Sequence, residues 1–204
     1  MKEHPILFST DMVIAKLEGT KTKTRRIINP QPIIDQDSGF VFDGKHRKQY
    51  DIHNWKDRFI DDYSRWMPGD LLWTRETWRW IEGDLGSGAY DFKADNNDFG
   101  NIKWKPSIFM PKEAARIWDE ILSIKVERLH EITEEDAIAE GIERSISGNG
   151  RIVWKHYTKD KYGPSPVHSY ETLWRKINGE ESWNENPFVW VIQFKVLSTT
   201  GKPS

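Results

Sequence analysis

Leu122-Ser-Ile-Lys-Val-Glu-Arg-Leu-His-Glu-Ile-Thr-Glu-Glu-Asp-Ala-Ile-Ala-Glu140-Gly141 is the passage that decides the fold. It opens with period two: Leu122, Ile124 and Val126 point one way and Ser123, Lys125 and Glu127 the other, as in a strand with one buried face. The period breaks at Ile132. Thr133 followed by Glu134, Glu135 and Asp136 forms an N-cap with an acidic first turn, and Gly141 is a natural stop, so a short helix runs through Glu140. A strand passing directly into a short helix, in a chain that lacks regular strand-helix-strand alternation, indicates an α+β protein and not a doubly wound sheet.

Working outward, the same signals recur at lower density. Residues 188–197 form a second strand, with Trp190, Ile192, Phe194 and Val196 on one face and Val191, Gln193 and Lys195 on the other. Upstream, Pro68-Gly69-Asp70 is a turn, and Leu71 to Trp80 follows as a strand with Leu72, Thr74, Glu76, Trp78 and Trp80 on one face. Ser9 or Thr10 caps a helix carrying Val13, Ile14 and Leu17, which Gly19 ends. Pro111 opens a short helix to Ala115, and Ser169 to Ile177 is an amphipathic helix ending near Asn178-Gly179. Residues 31–65, 81–110 and 143–168 lack periodicity and read as loop-like insertions into one domain spanning 1–204. The first carries a hairpin around Phe40 to Phe42, and the second an excursion outside the core with Gly83, Gly86 and Gly88. The architecture expected is a small mixed β-barrel with flanking short helices and long loop insertions.

Composition narrows the chemistry. Thirty Lys and Arg oppose 32 Asp and Glu, for a net charge of -2, so any anion-binding surface must be local. The absence of cysteine rules out disulfides and thiol nucleophiles and suits a reducing cytoplasm. No run approaches the roughly 20 apolar residues that span a bilayer. The histidines His4, His46, His53, His130, His156 and His168 have no metal-ligand spacing, so no metal is expected. Without a glycine-rich nucleotide loop no cofactor is expected either. Eleven tryptophans mostly fill core, with one or two available to stack a base.

The chemically distinctive stretch is Gly19-Thr-Lys-Thr-Lys-Thr-Arg-Arg26, with four cations and three hydroxyls behind a helix end. A threonine attacks only if a base takes its proton, and a lysine becomes that base when burial or neighbours such as Arg25 and Arg26 lower its pKa. Lys21 and Thr24 lie on opposite faces of a straight strand, so their cooperation requires a turn or bulge. Glu76 and Glu140 are the best carboxylates to orient the lysine or carry a proton. The bland alternative is a solvated basic loop, with Glu140 in an exposed salt bridge and Glu76 paired to Arg75 or Arg79.

Together, Gly19-x-Lys21-x-x-Thr24-x-Arg26, the Pro68-Gly69-Asp70-Leu-Leu turn and strand, the Ile124 to Glu140 passage and the 188–197 strand resemble the ASCH domain family. Trp104-Lys-Pro-Ser-Ile108 and Met110-Pro111 look like the longer form carried by bacteriophages and prophages. The resemblance implies a PUA-like fold and a cleft for RNA or a nucleoside. It also implies similarity to a bacterial amidohydrolase acting on N4-acetylcytidine, with Lys21 as base, Thr24 as nucleophile and Glu140 handling the proton. We assign substrate contact to Arg25, Arg26, Glu76 and Trp78. Two other activities fit the resemblance: a non-catalytic module that binds RNA or a modified base, and a metal-independent ribonuclease.

Overall fold

The computed structural model describes residues 1–45, 47–83, 87–95 and 103–203. In chain order it contains β1 (Glu3–Leu7), α1 (Thr10–Leu17), β2 (Lys23–Ile27), β3 (Ile33–Asp35), β4 (Phe40–Phe42), β5 (Gln49–Asp51), α2 (Trp55–Tyr63), β6 (Leu71–Arg75), β7 (Trp78–Glu82) and β8 (Gly88–Phe92). There follow β9 (Trp118–Arg128), α3 (Glu134–Ala139), β10 (Arg144–Ile146), β11 (Ile152–His156), β12 (Lys161–Gly163), α4 (Pro166–Asn178) and β13 (Phe188–Ser198). The protein is α+β, as its strand-to-helix passage predicts.

The spine is the antiparallel pair β9 and β13, extended to a five-stranded sheet in the order β1-β6-β9-β13-β2 with β1 and β6 parallel. Ile124 and Val126 are buried as expected, but Leu122 is 45 % exposed and Ile121 takes its place in the core. A register shift is the reason: Gln193 pairs with Ser123 while the next residue, Phe194, pairs with Ile121. Leu122 is therefore the extra residue of a bulge, which reverses the inside-outside alternation on its N-terminal side.

The sheet does not close into a barrel. β1 and β2 are its two edges, and a side chain spans the gap: Arg26 Nη2 donates to Leu7 O at 2.7 Å. The α3 helix begins as read, with the Thr133 side chain accepting from the Asp136 N–H, and ends with Glu140 as C-cap and Gly141 at φ +81°.

The three stretches read as loops are structured. Residues 31–65 hold the three-stranded sheet β3-β4-β5 and α2, whose Val41, Tyr50, Trp55 and Phe59 join the main core. Residues 143–165 hold the sheet β10-β11-β12 and bury Trp154 and Tyr157. Each of these strands is three to five residues long, too short to display a period.

The single strand expected over Leu71 to Trp80 is two strands. β6 belongs to the large sheet, the chain breaks at Glu76-Thr77, and β7 turns away to pair with β8. Phe92 on β8 packs with Leu71, Trp73, Trp78, Met110 and Trp118 in a second core, so this excursion is not peripheral. His46, Gly86 and the Asn96 to Ile102 part of the excursion lie outside the described residues.

Candidate active site

The site is built where α1, α3 and β2 meet. After α1, Gly19 adopts φ +75° and the N–H groups of Thr20 and Lys21 both donate to Ala15 O, making the turn that Lys21 and Thr24 need to face one space. Lys21 then forms an isolated antiparallel bridge with Glu140 at the end of α3. The approach is close enough to require glycine at 141: a Cβ there would sit 2.7 Å from Lys21 Cβ and 2.8 Å from Ala15 Cβ.

Lys21 is 2 % exposed, and its Nζ donates to Glu140 O at 2.7 Å, Lys23 O at 2.9 Å and Glu140 Oε2 at 3.0 Å. Burial pushes its pKa down; Glu140 opposes the shift, and the charges of Arg26 and Arg25 add to it. Glu140 is also buried and receives Arg25 Nη1 on its other oxygen at 3.3 Å. The Thr24 hydroxyl, buried in the same cleft, makes no side-chain hydrogen bond among the described residues.

Lys21, Thr24 and Glu140 therefore line one cleft of about 350 Å³, within the range that holds a small ligand. Phe8 and Met12 from the N-terminal segment form part of its wall. The rest comes from α4, which contributes Tyr170, Leu173, Trp174, Ile177 and Asn178. The buried Tyr170 phenol faces Glu140. Burial first, then that carboxylate, hold its pKa well above the tyrosine range, so it stays a neutral donor. The sequence shows the helix, but Tyr170 and Trp174, four residues apart, carry the same pattern as ordinary core-facing aromatics.

Four residues assigned to substrate contact separate into different places. Arg26 lines the cleft, with its guanidinium 5.3 Å from the Phe8 ring. Arg25 also lines it, with its Nη groups held by acids, at 2.6 Å to Asp136 and 3.2 Å to Glu127 besides Glu140, so it positions Glu140; its buried Nε has no partner among the described residues. Glu76 is outside the cleft. Both its oxygens accept from Arg116 at 2.9 Å, a partner 40 residues away instead of Arg75 or Arg79. Trp78 is in the second core under the Lys105 ammonium, and of this strand break Thr77 alone reaches the cleft.

Beneath the cleft lies a buried ion pair with no counterpart in the sequence reading. Lys16 Nζ donates to Asp119 Oδ2 at 2.5 Å and Thr74 Oγ1 at 2.6 Å, with both charged side chains inaccessible to solvent. It shares the Phe8 ring with Lys21, at 4.7 and 5.3 Å. Burial drives the Lys16 pKa down to about 8 despite Asp119.

Among the described residues no group of three His, Asp or Glu could hold a metal ion, and no helix is long and apolar enough to cross a membrane. No family model matches the chain, and neither a curated protein nor a solved structure does.

Proposed function

We propose that the cleft hydrolyses the exocyclic amide of a modified nucleoside of the N4-acetylcytidine kind, on a PUA-like scaffold of the ASCH family. The observation that carries this reading is the convergence of Lys21 and Thr24, from one segment, with Glu140, 119 residues from Lys21, on one cleft of nucleoside size. The bridge between Arg26 and Leu7 across the sheet edges supports the scaffold assignment, because it draws the open sheet toward the curvature of a small barrel.

The reaction follows from the arrangement. Lys21 passes a proton to Glu140 along their 3.0 Å contact, leaving a neutral amine and a carboxylic acid. The amine takes the Thr24 proton as Thr24 Oγ1 attacks the acetyl carbon, and the neutral Tyr170 phenol is the donor for the developing oxyanion. When the C–N bond breaks, Glu140 returns its proton to the departing nitrogen. Lys21, now an ammonium, again passes a proton to Glu140. The amine then takes a proton from water as the water oxygen attacks the acyl-Thr24 carbonyl, Glu140 returns its proton to the departing Thr24 oxygen, and the acetic acid released ionises to acetate in solvent.

A second reading is recognition of a modified base without chemistry. It is favoured by the three Lys21 hydrogen bonds, all to acceptors other than Thr24. Incubation of the purified protein with N4-acetylcytidine separates the two. Release of acetate that Thr24→Val abolishes supports hydrolysis, whereas stoichiometric binding with the amide intact over many hours excludes it for this substrate.

A further inference from the structure

Two strand edges border the cleft, and the sheet does not use all of their main-chain groups. The consecutive residues Thr24, Arg25, Arg26 and Ile27 of β2 all line it, as do Leu7, Phe8 and Ser9 at the end of β1. A strand meeting the space with one face would contribute every second residue, so it is the edge of β2 that the cleft follows. The ladder fixes which groups are spare. Ile28 N–H donates to Phe188 O at 3.1 Å and Thr22 O accepts from Phe194 N–H at 2.9 Å, in the register that pairs Thr24 with Ile192 and Arg26 with Trp190. Hydrogen-bonded pairs recur at every second residue of an antiparallel ladder, so the N–H and C=O of Arg25 and Ile27 point away from β13. Lys23 belongs to the same outward set, and its carbonyl accepts from Lys21 Nζ. The main-chain groups of Arg25 and Ile27 have no hydrogen bond outside the ladder among the described residues. On β1, Phe8 N–H donates to Arg75 O and Lys2 O accepts from Leu71 N–H, which leaves Pro5 and Leu7 facing outward. Pro5 has no N–H to leave unpaired, and Leu7 O is the acceptor of Arg26.

We infer that the free edge of β2 reads the base: the Arg25 C=O accepts from the exocyclic N–H of a cytosine ring, and the Ile27 N–H donates to its ring nitrogen. An acceptor followed by a donor along an extended edge complements a planar group that carries a donor and an acceptor side by side. Arg25 is 3 % exposed, so its carbonyl is costly to leave without a donor, and a ligand that supplies one gains accordingly. The inference rests on the reading of the cleft as a nucleoside site, and it sets the exocyclic amide beside Thr24, the residue before Arg25. A polypeptide strand is the other occupant that a free edge takes. Arg26 opposes it, because its bond to Leu7 O crosses the gap along which such a strand would run.

Amide hydrogen exchange followed by NMR tests it. In the free protein the amides of Arg25 and Ile27 exchange faster than those of Thr24, Arg26 and Ile28, which donate into the ladder. In Thr24→Val, where the ligand is not consumed, N4-acetylcytidine at about ten times its dissociation constant slows the Ile27 amide about tenfold. The 3-deaza analogue, in which a C–H replaces the ring acceptor, binds about tenfold more weakly. Ile27→Pro removes an N–H that the ladder does not need and weakens N4-acetylcytidine by a similar factor, whereas Ile27→Val keeps the N–H and binds as before. Should Ile27→Pro fail to fold, the analogue decides.

Equal exchange of all five amides in the free protein, or an analogue that binds as tightly as N4-acetylcytidine itself, overturns the inference. If no cytidine compound binds, the nucleoside reading falls, and acetamide, the simplest molecule with an amide donor and acceptor side by side, decides the edge alone. A saturable shift centred on the Ile27 amide sustains it as a recognition element, and no shift refutes it.

Discussion

Lys21 and Glu140, 119 residues apart, are joined through both main chain and side chain: the backbones bridge, and one ammonium donates to the Glu140 carbonyl and to its carboxylate. Both residues are buried, so removing one partner strands the charge of the other. Glu140→Ala is expected to cost about 3–5 kcal/mol of stability, and Lys21→Met to cost less, since Arg25 still holds Glu140. Urea denaturation of the two single variants and the double variant measures the coupling. A coupling near zero would show that the pair does not exist in solution.

Thr24 makes the opposite prediction. Its hydroxyl makes no side-chain hydrogen bond among the described residues, so Thr24→Val preserves shape and is expected to change stability by less than about 1 kcal/mol. Under the proposed chemistry it removes acetate release altogether, and Thr24→Ser restores part of it. A Val variant that unfolds readily would show that the hydroxyl has a structural role.

Gly141 never enters the cleft, yet it controls Lys21. Gly141→Ala combines a positive φ with contacts of 2.7 and 2.8 Å, and is expected to destabilise by roughly 1–3 kcal/mol and to displace the lysine. Under the proposed chemistry hydrolysis falls along with stability, and a second substitution, Ala15→Gly, should recover part of both by vacating one of the two contacts.

The Lys16 and Asp119 pair gives a pH dependence with a definite sign. Lys16 titrates near pH 8 in the fold against 10.5 as its ordinary value, so between these values the unfolded chain binds more protons than the native one. Stability then rises with pH: the cost of burying the ammonium is fully present below about pH 8 and is gone above about 10.5. Wild type should gain on Lys16→Met between pH 7.5 and pH 10 in parallel urea titrations. A constant difference between them would mean that Lys16 keeps its proton throughout.

The parts legible in the sequence are those with sustained local signals. The strand-to-helix passage, its Thr133 cap, Gly19, Gly141 and the last strand stand where their patterns put them. Leu122 shows the limit of such patterns, because a bulge is set by pairing with a distant strand and reverses which side chains face inward without a mark in the alternation of residues 122–127. The three-residue strands of the interposed segments were hidden for the same reason, since their apolar residues act through long-range packing. In the site, Lys21, Thr24 and Glu140 were found through a motif, whereas Tyr170, Trp174 and the Arg116 partner of Glu76 depend on which elements pack together. Arg25 is legible as a cation but not as one paired with three acids, because those acids come from β9 and the end of α3.

The pairing of β2 with β13 also sets an order of events during synthesis. Thr24 lies opposite Ile192, so the strand that carries it meets its ladder partner only after residues 188–198 have left the ribosome. Lys21 and Thr24 are made early, Glu140 and the α4 wall much later, and β2 is paired into the sheet only when residues 188–198 are in place. A chain interrupted before residue 188 thus carries every candidate side chain of the cleft without the strand that holds β2 in the sheet.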